Sequence, residues 1–307
     1  MVVGRFAPSP TGPLHFGSLV AALGSYLFAR SRGGRWLLRI DDLDQPRVVS
    51  GVADDILRTL ELLGFQWDGE PLWQSRRDDF YQLALSQLES QGLIYPCGCS
   101  RAEIALVATA PHNGADEIAY PGICRNGLLP GREPRSLRIR VVDAGIGFED
   151  GILGHHQQNL NEVCGDFVVK RSDGPFAYHL ATVVDDAESG VNQVVRGADL
   201  LFSTPRQIFL QRLLGFEQPS YFHLPLVTAA GGGKLSKRDC SVSLAAGLDL
   251  RKDGGRLLLG GLQFLGQSTA GLGPSVSPGA ILQHAVQNFS PASVPVANAE
   301  VHLPEAM

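Results

Sequence analysis

A short stretch near the N-terminus constrains this chain more than any other. Val2 and Val3 read as the end of a buried strand. Pro8, Pro10, Gly12 and Pro13 then force a turn, because each proline fixes its own φ and keeps the residue before it out of helix. From Gly17 onward, Leu19, Val20, Leu23, Tyr26 and Leu27 fall at helical spacing. A strand, a polar turn and a helix N-terminus in succession make an anion site, since first-turn backbone N–H groups and the helix dipole both point into the turn. His15 can donate a hydrogen bond to a phosphate there, and Gly17, lacking a Cβ, admits a flat base or a backbone. Neither common phosphate motif fits. The G-x-G-x-x-G spacing is absent, and the run Gly231 to Ser236 has Thr228 where a P-loop needs its first glycine.

A second polar stretch, Lys234-Leu235-Ser236-Lys237-Arg238, follows that glycine run. Pro8 to Ser18, with its core His15-Phe16-Gly17-Ser18, resembles the first nucleotide-binding motif of class I aminoacyl-tRNA synthetases, and the lysine stretch resembles the second. The opening Arg5 to Gly12 and the segment Leu38-Arg39-Ile40-Asp41-Asp42-Leu43-Asp44 narrow the resemblance to the glutamyl branch, from about residue 2 to about residue 245. Only about sixty residues follow the lysine motif, too few for an anticodon-binding body. The chain therefore looks like the short members of that branch, which place glutamate on queuosine, the modified wobble base of tRNA(Asp).

The resemblance implies an α/β fold: a Rossmann-like class I catalytic domain over 1–92 and 166–240, a zinc-binding insertion over 93–165, and a short C-terminal helical appendage over 241–307. It implies activation of L-glutamate with ATP and Mg²⁺, independent of tRNA, then transfer to the anticodon arm of tRNA(Asp) by a monomer. The rivals are a full glutamyl-tRNA synthetase charging tRNA(Glu), a non-catalytic paralogue binding tRNA or a nucleotide, and a nucleotidyltransferase acting on a small acid. The intact His15, Gly17 and Lys237 speak against a retired site.

A nucleic-acid partner sits awkwardly with a formal charge of −5, because phosphate contacts need a basic footprint. Local clusters at Arg30/Arg32/Arg35, Arg76/Arg77 and Arg251/Lys252/Arg256 are candidates, each equally readable as a solvated helix face. No apolar run reaches membrane length and the start has no signal-peptide shape, so a cytoplasmic protein is expected.

Along the chain, the pattern predicts helices over 17–31, 50–63, 77–91, 177–184 and 205–214. Strands are predicted over 36–40, 137–142 and 193–195, with the sheet resuming at 166–170 and residues 223–227 leading into the lysine motif. The third helix is expected to turn Phe80, Leu83, Ala84 and Leu88 inward. Ser100 to Glu103 reads as a capping box, and His155 to Asn161 as a polar loop. Beyond Arg251 only 256–265 looks helical, and the last forty residues look loosely packed.

Activating an amino acid on ATP is in-line attack on phosphorus, governed by positioning and charge stabilisation rather than proton transfer. By resemblance His15, Gly17, Lys234 and Lys237 are catalytic, and Thr11, His15, Gly17 and Lys237 meet ATP. Glutamate carries two carboxylates and one ammonium. Arg5 and Arg196 can each grip a carboxylate as a fork, and Asp41 is the natural ammonium partner. Tyr178 and Ser9 add hydroxyls, and the family's pocket also takes in Phe6, Ala7 and Pro8. Asp41 departs from the family, which carries a Glu one methylene longer.

Cys97, Cys99 and Cys124 are three soft ligands, one short of a closed tetrahedron. The fourth can be His112, Tyr120, Asp116 or a water. Chemistry prefers His112, whereas the resemblance prefers Tyr120, four residues before the last cysteine, in a single structural Zn²⁺ site. Cys164 and Cys240 read as plain thiols.

Overall fold

Every residue of the strand β1 (Val3–Phe6) is buried, but the strand begins at the valines instead of ending there, and Val2 lies before it, half-buried. The computed structural model describes residues 1–100, 102–104, 119–142, 145–228, 249–273 and 275–300. The proline turn then delivers α1 (Phe16–Arg30), with His15 as N-cap. β2 (Arg35–Ile40) returns parallel to β1, Val3 lying opposite Arg35, and after α2 (Val52–Leu62) the two-residue β3 (Leu72–Trp73) pairs parallel to β2. α3 (Asp78–Ser90) follows.

β4 (Ile94–Cys97) and β5 (Ser136–Ile139) are antiparallel. Between them the capping box forms as expected. Ser100 N–H donates to Glu103 Oε2 (2.7 Å) and Glu103 N–H to Ser100 Oγ (3.3 Å). β6 (Gly145–Asp150) and β7 (Gly154–Asn159) make a hairpin, and β8 (Phe167–Lys170) pairs antiparallel to β5. After α4 (Tyr178–Glu188) come β9 (Gln193–Gly197), α5 (Thr204–Leu214) and β10 (Ser220–Leu224). β10 is parallel to both β9 and β6, giving the order β7-β6-β10-β9. β9 lies alongside β1: Asn192 N–H donates to Val3 O (3.1 Å), and Val3 N–H donates to Asn192 Oδ1 (2.9 Å).

α1 is buried almost throughout because it is covered on both sides. On one side a Cβ at Gly24 would stand 2.5 Å from Leu224 Cδ1 of β10. On the other, α6 (Leu250–Phe264) comes so close that a Cβ at Gly261 would meet Leu23 at 3.0 Å. α7 (Pro278–Gln287) packs on α6, and Ile281, Leu282, Ala285 and Val294 join the same core as Leu19, Leu23 and Trp36.

Several expectations change. α3 turns Tyr81, Ala84, Leu85 and Leu88 inward. Leu83 is 70% exposed, and Phe80 lies outside with the Arg77 guanidinium 4.1 Å over its ring. Residues 154–159 form an edge strand rather than a loop, held by backbone pairing to β6. The strand at 167–170 joins β4 and β5, not the parallel sheet. The C-terminal region is a packed helix pair, closed by β12 (Ala299–Glu300) pairing to β11 (Val227–Thr228). β6 and β7, from the 93–165 stretch, are built into the central sheet.

Candidate active site

The strand order runs outward in opposite senses from β1 (to β2 and β3) and from β9 (to β10 and β6), and ligands of open α/β sheets bind at the strand C-termini beside such a switch. A cleft of about 2070 Å³ opens there. It is lined by every described candidate for ATP or glutamate binding: Arg5, Phe6, Ala7, Pro8, Ser9, Thr11, His15, Gly17, Asp41, Tyr178 and Arg196. Lys234 and Lys237 lie outside the described residues. β11, the strand before them, lines the cleft at Val227 and Thr228.

The turn at the nucleotide end is pinned to its surroundings. Asp41 N–H donates to Pro8 O (2.9 Å) and Val49 N–H to Pro10 O (3.0 Å). His15 Nδ1 accepts the N–H of Ser18 (3.2 Å), so the neutral ring carries its proton on Nε2. Gly17 has a reason the sequence did not disclose: a Cβ there would stand 3.1 Å from His15 Cε1 and Nδ1 and displace the ring.

The other end is a buried ion network. Arg5 directs its Nε and Nη2 at Asp186 (3.0 and 3.3 Å), so its fork is engaged within the protein and only Nη1 is without a partner among the described residues. Arg39 donates from Nε to Asp41 Oδ1 (2.6 Å), from Nη2 to Asp41 Oδ2 (3.3 Å), and from Nη1 to Asp186 Oδ1 (2.7 Å). Burial alone would raise Asp186, but Arg5 and Arg39 outweigh it and hold the carboxyl below the usual carboxylate range. For Asp41 burial wins over Arg39, and its pKa is pushed up to about 6. Asp185 lies beneath, accepting from Gln74 Nε2 (2.7 Å), Arg77 Nε (2.7 Å) and Tyr81 OH (2.9 Å). On the facing wall Arg196 donates from Nη2 to Thr204 Oγ1 (2.8 Å) and from Nε to His223 Nε2 (3.1 Å). Its Nη1 is buried and without a partner among the described residues. Among these side chains the three cations Arg5, Arg39 and Arg196 exceed the carboxylates Asp41 and Asp186 by one, while Asp185, 3.9 Å from Arg39, is matched by Arg77 at 2.7 Å.

Sequence reading missed Arg39, Asp186, His223 and Thr204. The one available signal was Asp185-Asp186 in a helix whose neighbours Leu180, Ala181, Val183 and Val184 are all buried. Two of the sequence's basic clusters prove partly structural, since Arg30 is paired with Asp68 (2.9 Å) and Arg77 with Asp185. Arg47, Arg135 and Arg171 also line the cleft, although Arg47 pairs with Asp44 and Arg171 with Asp44 (3.2 Å) and Asp173 (2.6 Å).

Beside the cleft the sulfurs of Cys97, Cys99 and Cys124 lie within 4.8 Å of one another. Cys99 and Cys124 Sγ are 3.6 Å apart, and Tyr120 Oη stands 3.4 Å from Cys97 Sγ and 3.7 Å from Cys99 Sγ. Zinc bond lengths of about 2.3 Å to sulfur and about 2.0 Å to oxygen give tetrahedral edges of about 3.8 and 3.5 Å, so the donor set fits such an ion. Burial and the facing Cys97 hold the Tyr120 phenol well above its ordinary pKa, so it ionises only beside a cation. Tyr120 is tied to the core through Gly165, whose positive φ and tight space exclude a side chain: a Cβ would meet Tyr120 O at 2.4 Å. His112 and Asp116, the other proposed ligands, and Cys240 lie outside the described residues. Cys164 is a buried thiol, as expected.

Residues 1–275 match the catalytic domain of class I tRNA synthetases (E and Q). The chain is 62% identical over 301 residues to a glutamyl-Q tRNA(Asp) synthetase of Geobacter sulfurreducens, covering 98% of this chain and 96% of that one. It is 54% identical over 265 residues to a protein of the same name from Dechloromonas aromatica, covering 86% of each. Among solved structures it resembles a glutamate tRNA ligase from Elizabethkingia meningosepticum in complex with its amino acid. The TM-score is 0.79 and the identity 27%, over 98% of this chain and 67% of that one.

Proposed function

The chain belongs to the class I glutamyl and glutaminyl tRNA synthetase catalytic-domain family, and on that premise we propose that it converts L-glutamate and ATP to glutamyl-adenylate without tRNA and then passes the glutamyl group to queuosine in the anticodon arm of tRNA(Asp). It is a ligase of the aminoacyl-tRNA synthetase type. One observation carries the reading: the His15 turn shares a single cleft with Arg5, Arg39, Asp41 and Arg196, and Asp186 stands behind them as the buried partner of Arg5 and Arg39.

In the first step a glutamate carboxylate oxygen attacks the α-phosphorus, and pyrophosphate leaves with its bonding electrons. No proton moves, so the protein's part is orientation and charge. Arg5 Nη1 and Arg196 Nη1 take the two carboxylates, Asp41 the ammonium, and Tyr178 and Ser9 line the pocket. His15 Nε2–H, Thr11, the open face at Gly17, Lys234 and Lys237 serve the triphosphate and its Mg²⁺. In the second step the acceptor on queuosine attacks the adenylate carbonyl and AMP leaves. Arg47, Arg135 and Arg171 meet the RNA backbone at the rim. Action as a monomer in the cytoplasm is part of the same proposal. Among the described residues no helix is long and apolar enough to cross a membrane.

Glutamate-dependent exchange of pyrophosphate into ATP tests the reading. Exchange with no tRNA present supports it, and an absolute tRNA requirement sinks it in favour of an ordinary glutamyl-tRNA synthetase. Charging of tRNA(Asp) with and without queuosine then tests the acceptor.

Asp41 makes the first step pH-dependent. The free enzyme's kcat/KM for glutamate falls about tenfold per pH unit below pH 6, as the carboxylate that meets the ammonium is protonated. Stability runs the other way. The pKa of this acid is raised on folding, from 3.8 to about 6, so its contribution is favourable below 3.8 and is lost as pH rises through about 6. A kcat/KM profile flat from pH 5 to 8 would remove Asp41 from the ammonium site.

Cys97, Cys99, Cys124 and Tyr120 hold one zinc, whose role is to fix 97–100 and 120–124 together beside the cleft, where Cys99 and Ser100 form part of the wall. Purified protein carries about one zinc per chain, and Cys124→Ser loses it. Elemental analysis showing full zinc in that variant would discard the ligand set.

A further inference from the structure

Arg196, His223 and Asp150 come from three neighbouring strands of one sheet. His223 lies directly opposite Arg196 across β10 and β9, and Asp150 lies opposite Tyr221 across β6 and β10. His223 is completely buried, with Nδ1 2.6 Å from Asp150 Oδ2 and Nε2 3.1 Å from Arg196 Nε. Arginine only donates, so Nε2 must accept and the single ring proton must sit on Nδ1, facing Asp150. Asp150 is fixed in turn: its Oδ1 accepts the backbone N–H groups of Ile152 (3.0 Å), Leu153 (2.9 Å) and His223 (3.2 Å). Burial keeps the ring neutral against the pull of Asp150, and the Arg196 charge acts in the same sense as burial. With Nε held by His223 and Nη2 by Thr204, the guanidinium plane of Arg196 cannot rotate, and Nη1 is the nitrogen it has left.

We propose that Asp150 and His223 are positioning residues that lock the tautomer and plane of this relay so that Arg196 presents Nη1 alone, end-on, to a carboxylate of the amino-acid substrate. The inference rests on the glutamate reading above. It also departs from a two-pronged Arg196 grip, because the fork is used inside the protein.

Asp150→Asn is the sharp test. Three backbone N–H groups already claim Oδ1, so the amide NH₂ must take the place of Oδ2 and face His223 Nδ1. The ring proton is then forced to Nε2, where it confronts Arg196 Nε–H. KM for glutamate in pyrophosphate exchange should rise on the order of 10- to 100-fold while KM for ATP stays put. The ¹⁵N spectrum of His223 should show the proton moved from Nδ1 to Nε2. Thr204→Val, which frees Nη2 and removes the 3.2 Å contact of Thr204 Oγ1 with His223 Nε2 while leaving the His223–Asp150 bond in place, should raise glutamate KM in the same selective way. It stands as the second readout if the asparagine variant does not fold. An unchanged glutamate KM despite the switched tautomer overturns the proposal, as does an equal rise for glutamate and ATP. Arg196→Ala separates the two levels. If it leaves glutamate KM unmoved, the glutamate pocket itself is wrong. If it raises KM while Asp150→Asn and Thr204→Val do not, only the positioning role falls.

Discussion

Asp186→Asn lowers the melting temperature by on the order of 10 °C, although it alters a single atom of one buried side chain. Asp186 is the shared counter-ion of two buried guanidinium groups, Arg5 at 3.0 Å and Arg39 at 2.7 Å. An asparagine offers one acceptor where the carboxylate offered two charged oxygens, and its NH₂ must face an arginine donor. Removing one partner of a buried charge set costs about 3–5 kcal/mol, because the charges left behind remain dehydrated. In a domain of this size each kcal/mol is worth about 2–4 °C. The exposed pair Arg58–Asp55, at 3.5 Å, is the control: Asp55→Asn leaves the melting temperature where it was. Scanning calorimetry of the two variants beside the parent decides the matter. Equal melting points for all three would mean that the network under the cleft carries no stability.

The parts of this structure that could be read in the sequence are those whose causes are local. Three prolines and a glycine dictate the turn, and helical spacing after Gly17 dictates α1, so the nucleotide end of the cleft was visible in twenty residues. The Arg5–Asp186 pair joins residues 181 apart, and no local pattern announces a partner at that range. β7 was misread because His155, Gln157 and Asn159 alternate with His156 and Gln158, leaving no apolar face to betray an edge strand that backbone pairing alone defines. α7 had its start signals in Ser277 and Pro278, and Ile281, Leu282 and Ala285 at core spacing. The surrounding Gly, Ser and Pro obscured them. In α3 the apolar residues Phe80 and Leu83 drew the eye to the wrong face, while Tyr81 was buried because its hydroxyl has a partner in Asp185. The same accounting explains why Arg5, Asp41 and Arg196 were found but their internal partners were not. A motif names residues, whereas the hydrogen bonds that orient them depend on which strands lie side by side.

Asp41→Asn should cost on the order of 100-fold or more in kcat/KM for glutamate, and the loss should fall on the ammonium alone. Its side chain is 7% exposed and takes Arg39 Nε at 2.6 Å and Nη2 at 3.3 Å, so the near-isosteric amide fills the same space with its oxygen kept toward Nε and gives up only the longer Nη2 bond. What disappears is the negative charge that a bound ammonium requires. Arg39 keeps Asp186, which limits structural damage and leaves the KM for ATP where it was. Glutarate, which has both carboxylates and no ammonium, is the diagnostic ligand. Its inhibition constant should hardly change, so the preference for glutamate over glutarate collapses in the variant. The pH dependence near 6 should vanish with it, because the titrating group is gone. If glutarate binding weakens by the same factor as glutamate binding, Asp41 serves the pocket's architecture rather than the amino group. The one-methylene difference from the family's usual Glu would then be a packing adjustment to Arg39. If only glutamate suffers, the shorter side chain still reaches the ammonium. The charge balance of three arginines against two aspartates then explains both halves of the recognition: the surplus cation selects the second carboxylate, and Asp41 selects the amine.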